Sequence, residues 1–118
     1  MKKYIIAAFM LALLACNDPS SIEVENKLSN AVIRNVEWGG MPIASKLLPG
    51  ESSAKISIYS DSYYGINLPE EHRLKFYVDV NGDMIYLETK EYIRLGVEQD
   101  LRIEINDETP VINPLLED

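Results

Sequence analysis

The chain of 118 residues contains one cysteine, Cys16, and one histidine, His72. A single cysteine excludes an internal disulfide, so the folded domain has to be stabilised by packing alone. A serine nucleophile needs a positioned base, and a lone histidine in a polar loop is more typical of solvated surface. The nineteen acidic residues allow many carboxylate pairs, but the sequence singles out no pair and no cluster of metal ligands. The sequence therefore predicts a protein that is not an enzyme and that needs no cofactor or metal.

Basic residues are also scarce, and their position makes the imbalance larger. Two of the eleven, Lys2 and Lys3, lie at the amino terminus, so the chain from Cys16 onward has nine basic against nineteen acidic residues, a net charge of −10. Nucleic acid is therefore excluded as a partner, because phosphate binding needs a basic surface. The same charge repels anionic lipid headgroups, so contact with a bilayer has to come through a lipid anchor.

Long apolar runs are missing except at the amino terminus, MKKYIIAAFMLALLAC. Two lysines precede an apolar run over residues 4–15, which is the layout of a signal segment of an exported chain. As a helix this run would be roughly 18 Å long, well short of the ~30 Å hydrocarbon layer that a permanent span has to cross. We expect the segment to be a helical signal peptide that is removed.

The end of this run resembles the lipobox of bacterial lipoproteins, in which leucine, a tolerant position and a small residue precede cysteine. Here the matching residues are Leu13, Leu14, Ala15 and Cys16. The resemblance implies cleavage between Ala15 and Cys16 and acylation of Cys16. Two or more acyl chains hold a protein stably, whereas one does so only marginally. The alternative is an ordinary secretory signal with an incidental cysteine, but Leu13 stands where such a signal has a small residue.

These assignments divide the chain into three parts. Residues 1–15 are the expected signal peptide, residues 16–21 the lipidated cysteine with a short tether, and residues 22–118 one globular domain. Asp18 weakly resembles the acidic export signals of some Bacteroidetes lipoproteins, although a plain linker explains it equally well. The expected location is the cell envelope, with the lipid anchor in the outer membrane and the leaflet left open.

After residue 21 the hydrophobic pattern has a period of two, which predicts β-strands separated by turns. In the second strand the pattern places Val32, Val36 and Trp38 on one face. The segment 60–72 shows no strand pattern, and Pro69 there could open one helical turn. We predict an all-β fold, an antiparallel β-sandwich of about seven to eight strands, Ig-like or transthyretin-like. The strands are predicted at residues 22–25, 31–38, 41–48, 52–59, 73–80, 83–90, 92–95 and 100–106, with 109–114 as an edge strand or extended tail.

The strongest local signal is Asn81-Gly82, which favours a two-residue type I′ turn. This turn fixes the register of the two flanking strands, because each strand residue then has one partner directly opposite. The predicted pairs are Val78 with Ile85, Phe76 with Leu87, Tyr77 with Tyr86, and Lys75 with Glu88. A calcium loop is the alternative, but Met84 and Lys90 stand where an EF-hand needs glycine and glutamate.

Exposed aromatic residues are the remaining candidates for a function, since they stack on sugars and anchor protein interfaces. The candidates for a binding surface are Trp38, Tyr63, Tyr64, Tyr77 and Tyr86. Trp38 precedes Gly39-Gly40, so it is either a platform at a loop edge or a core residue at the end of a strand. We predict a membrane-anchored binding module for a glycan or a protein partner; the alternative is a structural or accessory envelope lipoprotein without a small ligand.

The alternating strands, the Leu48-Pro49-Gly50-Glu51 turn and the proline-containing end are similar to small β-sandwich lipoproteins common in gut Bacteroidetes. This resemblance covers most of the chain but rests on no motif of known role. It implies a fold and a location, and it assigns no functional residue.

Overall fold

The computed structural model describes residues 19–59 and 65–116, and in these ranges all regular structure is β. Ala15, Cys16, Tyr63 and Tyr64 lie outside the described residues, so their assignments stay predictions. No helix in the described ranges is long and apolar enough to cross a bilayer. The strands are β1 (Ser20–Lys27), β2 (Val32–Trp38), β3 (Met41–Leu47), β4 (Ile56–Ile58), β5 (Glu70–His72), β6 (Leu74–Val80), β7 (Asp83–Thr89), β8 (Ile93–Leu95), β9 (Asp100–Asn106) and β10 (Val111–Ile112).

The strands form a three-stranded sheet in the order β4-β1-β9, a five-stranded sheet in the order β10-β7-β6-β2-β3, and a small sheet of β5 and β8. The predicted all-β sandwich is confirmed. One pair differs from the antiparallel expectation, because β1 and β9 run parallel over seven residue pairs. A parallel pair needs a long connection, and most of the chain lies between these two strands. The alternation of apolar and polar residues cannot reveal that pairing, because side chains alternate every two residues in parallel and antiparallel strands alike.

One hydrophobic core lies between the sheets. The three-stranded sheet contributes Ile22, Val24 and Ile105, and the five-stranded sheet contributes its two largest buried residues, Trp38 and Phe76. Each of these side chains is almost completely removed from water. At roughly 1.5–3 kcal/mol for each large apolar side chain, this burial is the main force that holds the domain together without a disulfide.

A β-bulge at Asn35 changes which side chains of β2 face the core. Asn35 has a positive φ of 52°, and the pairing of β2 with both neighbours shifts beside it. One extra residue in a strand reverses the alternation beyond it. Ile33 is therefore buried before the bulge, and Val36 and Trp38 are buried after it. The prediction that Val32 shares their face is wrong, since Val32 is only half-buried.

The β6–β7 hairpin has the predicted register. Phe76 lies opposite Leu87 and Tyr77 lies opposite Tyr86, as the turn dipeptide indicated. Asn81 and Gly82 have φ values of 54° and 92°, the left-handed conformation that a type I′ turn requires at both positions. The hairpin therefore places the two tyrosines on the outer face of the five-stranded sheet, opposite the buried Phe76.

Two other segments differ from the predicted pattern. The fourth strand is predicted from residue 52, but it begins only at Ile56. Residue 52 makes a single isolated bridge to Glu25, and the chain then leaves the sheet, so Ala54 is exposed. Residues 70–72 form β5, which pairs with β8, instead of a helical turn.

Near the carboxyl terminus, β10 is an edge strand beside β7, as the prolines around it predicted.

Candidate binding surface

Trp38 belongs to the core. Its side chain is 0% exposed, and its indole Nε1 donates a hydrogen bond to the carbonyl oxygen of Ile93 at 3.1 Å. Its ring meets the edge of the His72 ring, with the centroids 4.9 Å apart at 89°. A ligand cannot reach a ring in this position. The core interpretation of Trp38 is confirmed, and the exposed-platform interpretation is wrong.

Tyr77 and Tyr86 are the two candidate aromatic residues that the described structure brings together. Their ring centroids are 5.2 Å apart, and the ring planes are inclined at 55°. Both side chains are half-buried on the outer face of the five-stranded sheet. This geometry belongs to the favourable range for aromatic pairs, and it leaves part of each ring facing outward.

Charged side chains border the tyrosine pair on two sides. Arg34 lies opposite Tyr77 on β2, so one row across the sheet is Arg34, Tyr77 and Tyr86. In the next row Lys75 lies opposite Glu88. We call this surface, formed by Arg34, Lys75, Tyr77, Tyr86 and Glu88, the tyrosine face. It combines two aromatic rings with hydrogen-bond donors and an acceptor.

Hydrogen bonds hold the tyrosine face in place. The Tyr86 hydroxyl donates to Glu88 Oε2 at 2.8 Å, and Arg34 Nε donates to Asp79 Oδ2 at 2.9 Å. Partial burial, together with the bond to the Glu88 carboxylate, raises the pKa of Tyr86 to about 12, because both favour the neutral phenol. The bond from Arg34 and a second bond from the Gly82 amide lower the pKa of Asp79. The side chains around the rings are therefore ordered before any ligand arrives.

The Tyr86 hydroxyl gives a direct test of this arrangement. Because the pKa is raised in the folded state, the stability that this group contributes is complete below pH 10. It is lost as the pH rises from 10 to about 12. In a spectrophotometric titration of the phenolate band, we expect the Tyr86→Phe variant to lose a component that titrates near pH 12. The Tyr77→Phe variant is the matched control and should keep it. Loss of that component in Tyr77→Phe alone would contradict the assignment.

A cleft of about 320 Å³ lies beside the tyrosine face. Its lining residues are Gly39, Gly40, His72, Arg73, Lys75, Glu88 and Tyr92. Lys75 and Glu88 belong to both surfaces, so the cleft and the tyrosine face are continuous. This volume is at the lower end of the ~300–1,000 Å³ range of small-molecule sites, which suits one sugar ring or a group of similar size.

The walls of the cleft are fixed by contacts of His72. His72 Nε2 lies 2.6 Å from Glu70 Oε1, and the His72 ring packs against Trp38 in a T-shaped contact. Gly39 approaches the ring so closely that an added Cβ would lie 2.8 Å from His72 Cδ2. Two hydrogen bonds to the Glu70 carboxylate lower its pKa: the larger effect comes from the Asn67 amide and the smaller from His72. His72 is therefore a positioned wall residue, where the sequence pattern indicated solvated surface.

The sequence alone does not indicate this cleft, because its residues come from the β2–β3 turn, the β5–β6 junction, β7 and the segment before β8. The nearest local signal is the alternation of Arg73, just before β6, and Lys75 within it, which places two cations two residues apart next to His72. Comparisons of the chain with protein families, with curated proteins and with solved structures found no match.

Proposed function

We propose that the protein is a lipid-anchored, non-enzymatic binding module that presents its tyrosine face to a glycan. The observation that carries the proposal is the ordered Tyr77/Tyr86 pair, part of whose aromatic surface faces outward between charged side chains. A sugar needs both features, because its C–H faces pack on aromatic rings while its hydroxyls exchange hydrogen bonds with polar groups.

The opposite side of the sandwich has a different character. On the outer face of the three-stranded sheet, Arg102 forms ion pairs with Glu23 and Glu25, and Lys27 pairs with Glu104 at 3.4 Å. Both of these cations are therefore engaged by carboxylates of the same face, and ion pairs that water can reach contribute little to stability. The contrast between the two faces supports the tyrosine face as the surface that binds.

The lipid anchor is supported by the pattern of residues 1–16 and by the start of the sandwich. β1 begins at Ser20, four residues after Cys16. Four residues of extended chain span at most about 14 Å. A sandwich anchored at Cys16 would therefore lie next to the bilayer, and its net acidic charge would limit further contact with anionic lipids.

The Cys16→Ala variant tests the anchor. We expect the wild-type protein in the membrane fraction of cells and the variant in the soluble fraction or the medium, because the variant lacks the thiol that would be acylated. Protease treatment of intact cells then reports the leaflet: a surface-exposed domain is degraded, and a domain that faces the periplasm is protected until lysis. Membrane association of Cys16→Ala equal to that of the wild type would contradict the proposed anchor.

The binding role is tested with full-length protein in detergent, first on a glycan array and then by titration calorimetry with the glycans that bind. We expect Tyr77→Ala to weaken binding at least tenfold, in line with the loss of an aromatic anchor. Tyr59→Ala is the matched control, because Tyr59 is 55% exposed and lies beside β4 in the other sheet. Circular dichroism checks that both variants are folded. If no glycan binds but a protein partner is captured through the tyrosine face, the ligand is not a glycan. The assignment of the tyrosine face as the binding surface would then still hold.

A further inference from the structure

We infer that the glycan bound by this module carries a carboxylate, and that the cleft beside the tyrosine face receives it through Arg73. This inference rests on the proposed function, since it names the class of sugar that the same surface takes. Arg73, Lys75 and Tyr92 all line the cleft, and the Arg73 guanidinium lies over the Tyr92 ring. An acidic sugar of the uronate type has a ring that can pack on the aromatic side chains and a carboxylate that can bind the cations.

The guanidinium of Arg73 is held by weak contacts. Its Nη1 lies 3.8 Å from Glu88 Oε1, which is beyond hydrogen-bond distance, and its Cζ lies 4.8 Å from the centre of the Tyr92 ring. Among the described residues, the buried side-chain atom that has no hydrogen-bond partner is Arg73 Nε. Buried polar groups are almost always paired in folded proteins, so this unpaired Nε, on a side chain that lines the cleft, can gain an acceptor when the guanidinium turns toward a bound ligand.

The remaining donors of Arg73 suit a carboxylate. The Nε and one Nη of a guanidinium form a planar fork that matches two carboxylate oxygens, and such paired, charge-assisted bonds are stronger than neutral ones. Because no protein acceptor holds Nε, the guanidinium loses no hydrogen bond when this edge turns toward a ligand. The cation–π contact with the Tyr92 ring keeps the guanidinium at the cleft during this movement.

Glu88 offsets only one of the two cations at the cleft. One of its oxygens accepts the hydrogen bond of Tyr86, and the other lies 3.8 Å from Arg73. Lys75, directly opposite Glu88 on the neighbouring strand, adds a second cation to the rim of the cleft. In a protein with a net charge of −8, a cleft that retains two cations against one engaged carboxylate is a local exception to the acidic surface.

The strand geometry places this cleft one step from the tyrosine pair. Side chains on one face of a strand repeat every two residues, about 7 Å apart, and Lys75 and Glu88 are each two residues from Tyr77 and Tyr86. A sugar stacked on the tyrosines can therefore extend its own carboxylate, or that of the next unit, into the cleft. The two surfaces form one site with separate roles.

The test compares oligogalacturonate and oligoglucuronate with their carboxyl-reduced neutral forms, using full-length protein in detergent. We expect the wild type to bind an acidic form at least tenfold more tightly than the corresponding neutral form at low salt, and added salt should reduce this preference. Arg73→Gln should bring the ratio of acidic to neutral binding close to one, whereas Arg94→Gln, at an exposed position on β8, should keep the wild-type ratio. Because His72 touches Trp38, acidic ligands should also change the fluorescence of this single tryptophan.

Each result separates this inference from the proposed function. Equal binding of acidic and neutral forms, weakened in both by Tyr77→Ala, would overturn the acidic ligand and leave the glycan-binding face intact. An acidic preference that survives in Arg73→Gln would overturn the assignment to Arg73. Failure of both forms to bind while another glycan on the array binds would overturn the acidic ligand alone, and failure of every glycan on the array would overturn both proposals. An acidic preference that Arg73→Gln removes and Arg94→Gln retains supports the inference.

Discussion

The Trp38→Ala variant is expected to be less stable than the wild type by about 3–5 kcal/mol, the usual loss when a large buried aromatic side chain is truncated. Trp38 is fully buried, and its truncation would leave a cavity in the core and remove the hydrogen bond to the Ile93 carbonyl. Domains of this size have about 5–15 kcal/mol of stability in total. The variant should therefore unfold at a much lower urea concentration, measured by far-UV circular dichroism because the fluorescent side chain is lost.

Two further variants separate packing from surface effects. Trp38→Phe keeps most of the apolar volume but loses the hydrogen bond to Ile93, so its loss should be smaller, about 1–2 kcal/mol. Tyr59→Ala removes an exposed ring and should change stability by less than about 0.5 kcal/mol. Wild-type stability in Trp38→Ala would contradict the core assignment.

The Asn26→Ala variant is expected to cost at least about 3 kcal/mol, a large effect for a polar residue. The side chain of Asn26 is 0% exposed, and its amide nitrogen donates to the carbonyl oxygens of Ala31 and Leu47 at 2.9 and 2.8 Å. Its Oδ1 accepts the amide of Leu28 at 2.9 Å. Asn26 therefore ties the end of β1, in one sheet, to the end of β3 in the other. Alanine would remove three hydrogen bonds to backbone groups, two of them fully buried.

Urea denaturation of three variants checks this assignment. Asn26→Asp keeps an acceptor for Leu28 but turns a carboxylate oxygen toward two carbonyls, so it should be at least as unstable as Asn26→Ala. Asn113→Ala is the matched control, since Asn113 makes an exposed local bond to the Leu115 amide, and its loss should be below about 1 kcal/mol. If Asn26→Ala and Asn113→Ala had equal stabilities, Asn26 would not be the link between the sheets.

The register of the β6–β7 hairpin could be predicted because the turn and the facing side chains that determine it are local in the sequence, although Ile85, predicted on the core side, is 45% exposed. The Asn81-Gly82 turn specifies the register, and the facing side chains on both strands agree with it. The tyrosine pair follows directly from that register. The part of the candidate site that lies within one hairpin was therefore accessible from the sequence.

The bulge at Asn35 was not predictable from alternation. A strand with one extra residue looks like a regular strand in sequence, because Val32, Val36 and Trp38 keep an even spacing while the backbone changes which side each one faces. Trp38 illustrates the same limit. A tryptophan at the end of a strand beside two glycines suits a rim or a core equally well, and only its packing against His72 and Ile93 decides the matter.

The Arg73 cleft was missed for a topological reason. It joins the turn at Gly39-Gly40 to Tyr92 through the pairing of β2 with β6 and of β6 with β7, contacts between residues far apart in the chain. The parallel pairing of β1 with β9 and the pairing of β5 with β8 are long-range in the same sense. Patterns within single segments give the strands, but they do not determine which strands become neighbours.

The most direct test of the central claim is to map the bound ligand on full-length protein in detergent micelles by nuclear magnetic resonance, using the tightest-binding glycan. The account predicts that the largest ligand-dependent chemical-shift changes occur at Tyr77, Tyr86 and the adjoining residues of β6 and β7. Arg102 and its neighbours on the opposite sheet should stay unchanged. Changes centred on the opposite sheet, or no change at the tyrosine face at saturating ligand, would contradict the claim that this face is the binding surface.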